Sequence, residues 1–247
     1  MPAIIKPRDF TTEKVALKGM RETGNGGKMV YLNYEGEPLV VQTPELVLPF
    51  GLNAWPRENE SDGGGQPQKY TLEMAIQGPS TKRFLDMLTD LDQKLLEEGM
   101  KNSLAWWKKQ HKSVDVTDAV YKRIVKNNPN NDHPPLFKAN IPVRDGKIMC
   151  DVFDGDKNPI DITCTRTKGA RAMAIVQCTG VWLAGGNFGC TWKVLQLRIV
   201  PPAVLEGFAF DLDDEDEGGE REKKTNTANT TNTTKAKAKD EEKEEVC

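Results

Sequence analysis

The chain has 247 residues, of which 37% are hydrophobic and 29% charged, with 34 Lys and Arg against 37 Asp and Glu. It is long enough for one domain with extensions, and the shortage of apolar side chains is concentrated in the last forty residues. Five scattered cysteines without a C-x-x-C pair and only two histidines argue against a zinc ribbon or histidine-rich metal site, and no apolar run is long enough for a membrane span.

The charge is unevenly divided. Asp211 to Cys247 hold 13 acidic and 7 basic residues, leaving 27 basic and 24 acidic before them. A mildly basic body with an acidic tail suits a polyanion-binding surface as well as a solvated domain with a solubilising tail. The N-terminus has no apolar signal region, so secretion is not expected, and reduced cysteines suit an intracellular protein.

In chain order, residues 1–27 read as a basic N-terminal arm with Lys6, Arg8, Lys14, Lys18 and Arg21, ending in a Gly-Asn-Gly-Gly turn. Lys28 to Tyr34 reads as a strand with Met29 and Tyr31 on one face, followed by extended segments broken at Pro44. Leu52 to Gln68 reads as a loop; its Gly-rich part lacks the Lys-Ser step of a phosphate cradle, and Trp55 reads more as a core plug than as an exposed stacking tip. Tyr70, Leu72, Met74 and Ile76 alternate as one strand face. From Gly78-Pro79-Ser80 a helix is predicted, with Ser80 as N-cap and an apolar stripe of Phe84, Met87, Leu88, Leu91, Leu95 and Leu96. Trp106 and Trp107 beside Lys108 and Lys109 read as a buried helix end, with nucleic-acid contact as the second reading. A second helix is predicted over 115–126, and the helical insertion as a whole spans about 79–127.

Leu136–Val143, Ile148–Phe153 and Ile160–Arg166 read as strands, and the Asp154-Gly155-Asp156 turn lacks the acid ladder of a calcium loop. Thr165 to Arg171 is a dense basic stretch. It leads into the clearest hairpin of the chain, two β-favouring runs between Arg171 and Val200 around a Gly-Gly-Asn turn, with a bulge predicted at Val194-Leu195. The tail is acidic at 211–217, rich in Thr, Asn, Lys and Ala at 225–239, and acidic again at 240–245; such a composition predicts disorder. About seven strands with an interposed helix predict a mainly β, OB-fold-like antiparallel Greek-key barrel over 28–210, followed by the disordered acidic tail 211–247. No carboxylate cluster, Cys/His or Ser/His set points to an enzyme, a metal or a cofactor.

One stretch resembles a known family. Val181-Trp182-Leu183, then Asn187-Phe188-Gly189-Cys190-Thr191-Trp192-Lys193-Val194-Leu195-Gln196, is similar to the C-terminal strands of single-stranded DNA-binding proteins encoded by large nucleocytoplasmic DNA viruses, a group similar to the podophage protein. In layout the resemblance covers roughly residues 25–217. It implies an OB-fold with an inserted helix that binds single-stranded DNA during viral DNA replication, recombination or repair, in the nuclear or cytoplasmic host compartment where viral DNA replicates. The DNA-binding candidates are Lys28, Tyr31, Arg166, Lys168, Arg171, Trp192, Lys193 and Arg198. The resemblance also implies a tail that competes with DNA and contacts a DNA polymerase, primase or helicase, here through Asp211, Asp213, Asp214, Glu215, Asp216, Glu217, Asp240, Glu241, Glu242, Glu244 and Glu245. A homodimer is compatible with it. The chain departs from the phage pattern in ending Val246-Cys247 rather than in an aromatic, and in the Thr/Asn/Lys insert. The competing reading is a virion structural or assembly protein that uses the sheet for protein contacts. Whether Trp106, Trp107, Trp182 and Trp192 stack on bases or fill the core is left open by the letters alone.

Overall fold

The computed structural model describes residues 2–24, 26–56, 67–127, 130 and 132–203. The chain divides into two units, Met1–Pro202 and Ala203–Cys247; the acidic tail 211–247 and its candidate acids lie outside the described residues. In chain order the described residues form β1 (Ile4–Ile5), β2 (Val15–Glu22), β3 (Lys28–Tyr34), β4 (Glu37–Pro38), β5 (Val40–Gln42), β6 (Leu46–Val47), β7 (Leu52–Trp55), β8 (Lys69–Ala75), α1 (Lys82–Lys101), α2 (Ser103–Trp107), α3 (Val114–Asp118), β9 (Tyr121–Lys122), β10 (Val125–Lys126), β11 (Leu136–Arg144), β12 (Lys147–Ile148), β13 (Asp151–Phe153), β14 (Arg171–Ala184) and β15 (Asn187–Val200).

The β14–β15 hairpin turns at Gly185 and Gly186, both at positive φ (57° and 79°), as a two-residue turn between twisted strands requires. Its ladder slips twice. Ile175 pairs with Gln196 and Val176 with Val194, so Leu195 is the extra residue of a bulge at the predicted Val194-Leu195 step. The second slip leaves Thr179 unpaired between Cys178 and Gly180, and beyond it β14 changes partners. Residues 171–177 pair with β6 and β5, whereas Val181–Leu183 pair with β3. A Cβ at Gly180 would stand 2.6 Å from the Val30 carbonyl oxygen, so only glycine lets β3 approach there.

Following the pairings gives a closed circuit. β5 and β6, one strand interrupted at Pro44, pair with β14; β6 pairs with β8; β8 pairs antiparallel with β11; β11 meets β15 in parallel; and β15 returns to β14. A five-stranded ring with one long helix between strands is the predicted OB-fold-like barrel. The helical stripe Phe84, Met87, Leu88, Leu91, Leu95 and Leu96 is buried as predicted. Phe84 meets Phe137 of β11 edge-on at 5.3 Å, and Phe137 meets Trp192 of β15 at 5.6 Å, so aromatic contacts run from helix to barrel. Ser80 does not cap the helix; it lies in a 3₁₀ turn, Pro79–Thr81, where the Thr81 hydroxyl donates to the Gly78 carbonyl.

Several expectations are corrected. Leu52–Trp55, read as the start of a loop, is strand β7. Residues 2–24 are not a free arm: β1 joins β5, β2 joins β3, and Phe10 stacks on Tyr34 at 5.5 Å. The helix expected over 115–126 stops at Asp118. Tyr121–Lys122 pair with β15 and Val125–Lys126 with β11, and the buried Asp92 carboxylate accepts bonds from the Tyr121 hydroxyl and the Ile124 amide, which fixes the segment as extended chain. Ile160–Arg166 is not a strand, because Asp161 folds it into a turn by accepting from the Thr163 amide at 2.8 Å, while its carbonyl accepts from the Thr165 hydroxyl at 2.7 Å. The segment Ile148–Phe153 is also split, at Met149-Cys150.

Burial raises the pKa of Asp92 above the ordinary carboxyl range, against the opposing pull of the Tyr121 and Ile124 hydrogen bonds. Its folded-state value therefore exceeds its unfolded one. The stability tied to its proton is complete below the unfolded value and is lost as pH rises through the folded value. Asp92→Asn keeps the accepting oxygen without the buried charge. Urea unfolding between about pH 4 and about pH 8 is expected to show a flatter stability profile for the variant and, near neutrality, no loss relative to the parent; a variant uniformly weaker across the range contradicts this account.

Candidate nucleic-acid interface

Alternation along β8 sends Leu72 and Met74 into the core and leaves Lys69, Thr71 and Glu73 on the other face. Register aligns these with their neighbours: Trp55 and Asn53 of β7 lie opposite Lys69 and Thr71, while Lys138 and Asn140 of β11 lie opposite Glu73 and Thr71. Together with Phe50 these strands line an open groove of about 500 Å³. Two large aromatics stand in water at its edge, Phe50 at 54% and Trp55 at 49% exposure. The Lys69 ammonium sits 5.8 Å from the centre of the Trp55 ring, a cation–π contact.

The groove is crowded with positive charge. Lys126 from β10 pairs with Glu73 at 3.0 Å. The pKa of Lys138 is lowered first by partial burial and then by the charges of Lys126 and Lys69, with Glu73 acting the other way. Among the described residues one carboxylate thus serves a cluster of three lysines, and an incoming anion would relieve their repulsion. A smaller, mainly apolar hollow of about 380 Å³, lined by Pro49, Phe50, Lys126, His133 and Leu136 among others, adjoins the groove and shares Phe50 with it.

The basic loop before β14 reaches the same place. The Leu52 amide donates to the Thr167 hydroxyl at 2.9 Å, and the Gly169 amide donates to the Leu48 carbonyl at 2.8 Å. Gly51, at φ 67°, lies so close that a Cβ would stand 2.7 Å from the Thr167 hydroxyl and 2.8 Å from the Lys168 amide nitrogen. The exposed Arg166 and Lys168 therefore flank the Phe50 end of the groove.

The remaining predicted residues are dispersed. Trp192 is 1% exposed, packed against Phe137 in the core, and is withdrawn as a stacking residue. Lys28 shares the inward-facing side of β3 with Val30 and Leu32, opposite Tyr31, so the two do not form one surface. Tyr31 is 43% exposed with the Arg21 guanidinium 5.7 Å from its ring, but β3 pairs only with β2, β4 and the far half of β14 among the described strands. Arg171 is paired with Glu45 at 3.2 Å, and Arg198 donates to the Gly155 carbonyl at 2.9 Å. Lys193, half-buried, is in register with Asn140 and Gln177. Trp106 is buried; Trp107 and Trp182 are partly so, with Trp107 stacked on His111 at 4.8 Å.

Phe50, Trp55, Lys69, Lys126 and Lys138 were not among the predicted site residues. The signal for part of them was present, since the alternation that assigns Leu72 and Met74 to the core places Lys69 on the opposite face. For Trp55 the expectation of a core plug is overturned by its exposure.

Exposed aromatic rings among lysines in one groove form a surface whose chemistry suits a polyanion with flat rings. The chain belongs to the family described as "Family of unknown function (DUF5871)", whose model matches residues 72–212. No curated protein matches the chain. Among solved structures it is similar to gp2.5, a single-stranded DNA-binding protein encoded by bacteriophage T7, at 10% identity over 70% of this chain and 98% of that one, with a TM-score of 0.46. It is also similar to the single-stranded DNA-binding protein from bacteriophage Enc34 in complex with single-stranded DNA, at 12% identity over 79% and 99%, with a TM-score of 0.42.

The placement of the tryptophans is directly testable. Trp192→Ala is expected to cost about 3–5 kcal/mol in urea unfolding. Trp55→Ala is expected to change stability by less than about 0.5 kcal/mol, the usual range for a surface site. Comparable losses at both positions would contradict the assignment of one ring to the core and the other to the groove.

Proposed function

We propose that the protein binds single-stranded DNA without regard to sequence, through the groove formed by β7, β8 and β11. The observation that carries this reading is the pairing of exposed Trp55 and Phe50 with Lys69 and Lys138 along one groove. Flat rings offer stacking to any base, while the lysines neutralise phosphates. A base can stack on Trp55 only when it is free of its own duplex neighbours, which favours a single strand. Arg166 and Lys168 extend the cationic path at the Phe50 end.

Binding, without chemical catalysis, is the activity in this reading. The protein serves viral DNA replication, recombination or repair in the host compartment where viral DNA replicates. The acidic tail competes with DNA for the cationic surface and, once released, contacts a polymerase, primase or helicase. The support for the tail's role is its charge, opposite to that of the groove lysines.

Titration of labelled oligo-dT tests the assignment. Trp55→Ala is expected to weaken binding by about 1–3 kcal/mol, roughly 5- to 150-fold. Replacing Lys69 or Lys138 by Ala is expected to flatten the dependence of log affinity on log salt by about 0.7 for each phosphate that is no longer neutralised. Absence of binding at low salt, or variants indistinguishable from the parent, would favour the protein-contact reading instead.

A further inference from the structure

The N-terminal segment assembles a second cationic site, which shares no lining residue with the groove. β1 pairs in parallel with β5, Ile4 with Val40 and Ile5 with Val41, so the next step in register brings Lys6 beside Gln42. Pro7 then opens a 3₁₀ turn, Pro7–Asp9, which carries Arg8. The turn is fastened from behind: the Tyr34 hydroxyl donates to the Asp9 carbonyl at 3.3 Å, and Phe10 stacks on the Tyr34 ring. On the other side, the first turn of α1 supplies Arg83 and the preceding 3₁₀ turn supplies Ser80.

These side chains surround a hollow of about 300 Å³ floored by Phe84 and Met173. Among the described residues its lining contains three cations and no carboxylate. Lys6 and Arg83 make no ion pair among the described residues, and Arg8 has only its exposed neighbour Asp9, at 3.6 Å. Such an exposed pair contributes little and is readily exchanged. Two guanidinium forks, an ammonium, a hydroxyl and the Gln42 amide form a donor set for an oxyanion, and guanidinium is well matched to phosphate.

The hollow is connected to the groove by one strand. Ala172 and Ala174 of β14 are buried, so Arg171 and Met173 share its outer face. Met173 lines the hollow, and the Gln42 amide donates to its sulfur at 3.2 Å. Preceding Arg171 is the loop with Lys168 and Arg166 that borders Phe50. Cations therefore recur from the groove along the start of β14 to the hollow, with Glu45, paired to Arg171 at 3.2 Å, the one carboxylate named along the way.

We propose that this hollow is a second phosphate-binding site, which holds the sugar-phosphate backbone of a single strand where it leaves the groove. The proposal rests on the reading of the groove as a single-stranded DNA surface. It adds a division of labour: bases stack in the groove, whereas the hollow has no exposed ring among the described residues and grips phosphate only. Its contribution should appear only with strands long enough to reach it.

The test uses the full-length protein and the double variant Arg8→Gln/Arg83→Gln, with thermal melting to verify that both are folded. Each is titrated with oligo-dT of about 6 and about 30 nucleotides at two salt concentrations. The expected result is a loss of about tenfold for the longer strand, a salt dependence flatter by about 0.7 per phosphate released, and unchanged binding of the shorter strand. Parental affinity and salt slope of the variant for the longer strand, with Trp55→Ala still weakening it, would overturn the second site and leave the groove standing. Equal losses for both lengths would also overturn it, because the arginines would then act within the groove's footprint or through their general field. Intact DNA binding with lost affinity for a poly-glutamate peptide would assign the hollow to an acidic protein segment and overturn the proposal. Failure of the parent protein to bind either strand would remove the groove reading itself.

Discussion

The molecule depends on the change of hydrogen-bonding partner along β14. Up to Gln177 this strand is held between β5–β6 and β15; past the bulge at Thr179 it is held between β3 and β15. A flat, uninterrupted strand could not serve both neighbours, and the extra residue supplies the bend and twist. Closure of the barrel, attachment of the N-terminal strands, and placement of the basic loop at the start of β14 all follow from this one ladder.

The groove illustrates how one side-chain type is used in opposite ways. Phe137, Phe188 and Trp192 are buried and hold the helix against the barrel, while Phe50 and Trp55 are left in water. Burying such rings would stabilise the fold by an amount of order 2 kcal/mol each, so leaving them exposed sacrifices stability at the surface where a ligand can recover it. The lysines show the same pattern: mutual repulsion is built in, with Glu73 compensating only part of it.

Much of the scaffold was legible from the letters. The hairpin, its Gly-Gly turn, the bulge at Leu195 and the buried stripe of α1 each leave a local signature, because turn geometry and periodicity depend on neighbouring residues. Sidedness was not legible. The run Trp192-Lys193 states that the two point opposite ways, and only the arrival of Phe137 from a distant strand decides that the tryptophan is the inward one. The 115–126 segment has helical spacing, yet its fate is decided by Asp92, about one helix away in sequence. Trp55 is similar: nothing adjacent to it in the chain reports that β8 will present Lys69 beneath its ring. The letters therefore point to a chemistry of aromatics and cations, while the strands that gather such residues into the groove, β7, β8 and β11, are not the ones they single out.

Two joints of the ring are one residue pair wide. Among the described residues β6 pairs with β8 only at Val47 and Ala75, and β11 with β15 only at Asn140 and Lys193, whereas β14 and β15 are joined along almost their whole length. The barrel is in this sense two sheets hinged on a shared hairpin and stitched at two narrow seams. A seam therefore rests on side-chain packing more than on backbone bonds, whereas the hairpin has both. Both seams border β8 and β11, so in backbone pairing these strands are the least tied part of the ring, and across the β11–β15 seam the buried Phe137–Trp192 contact supplies what the ladder lacks.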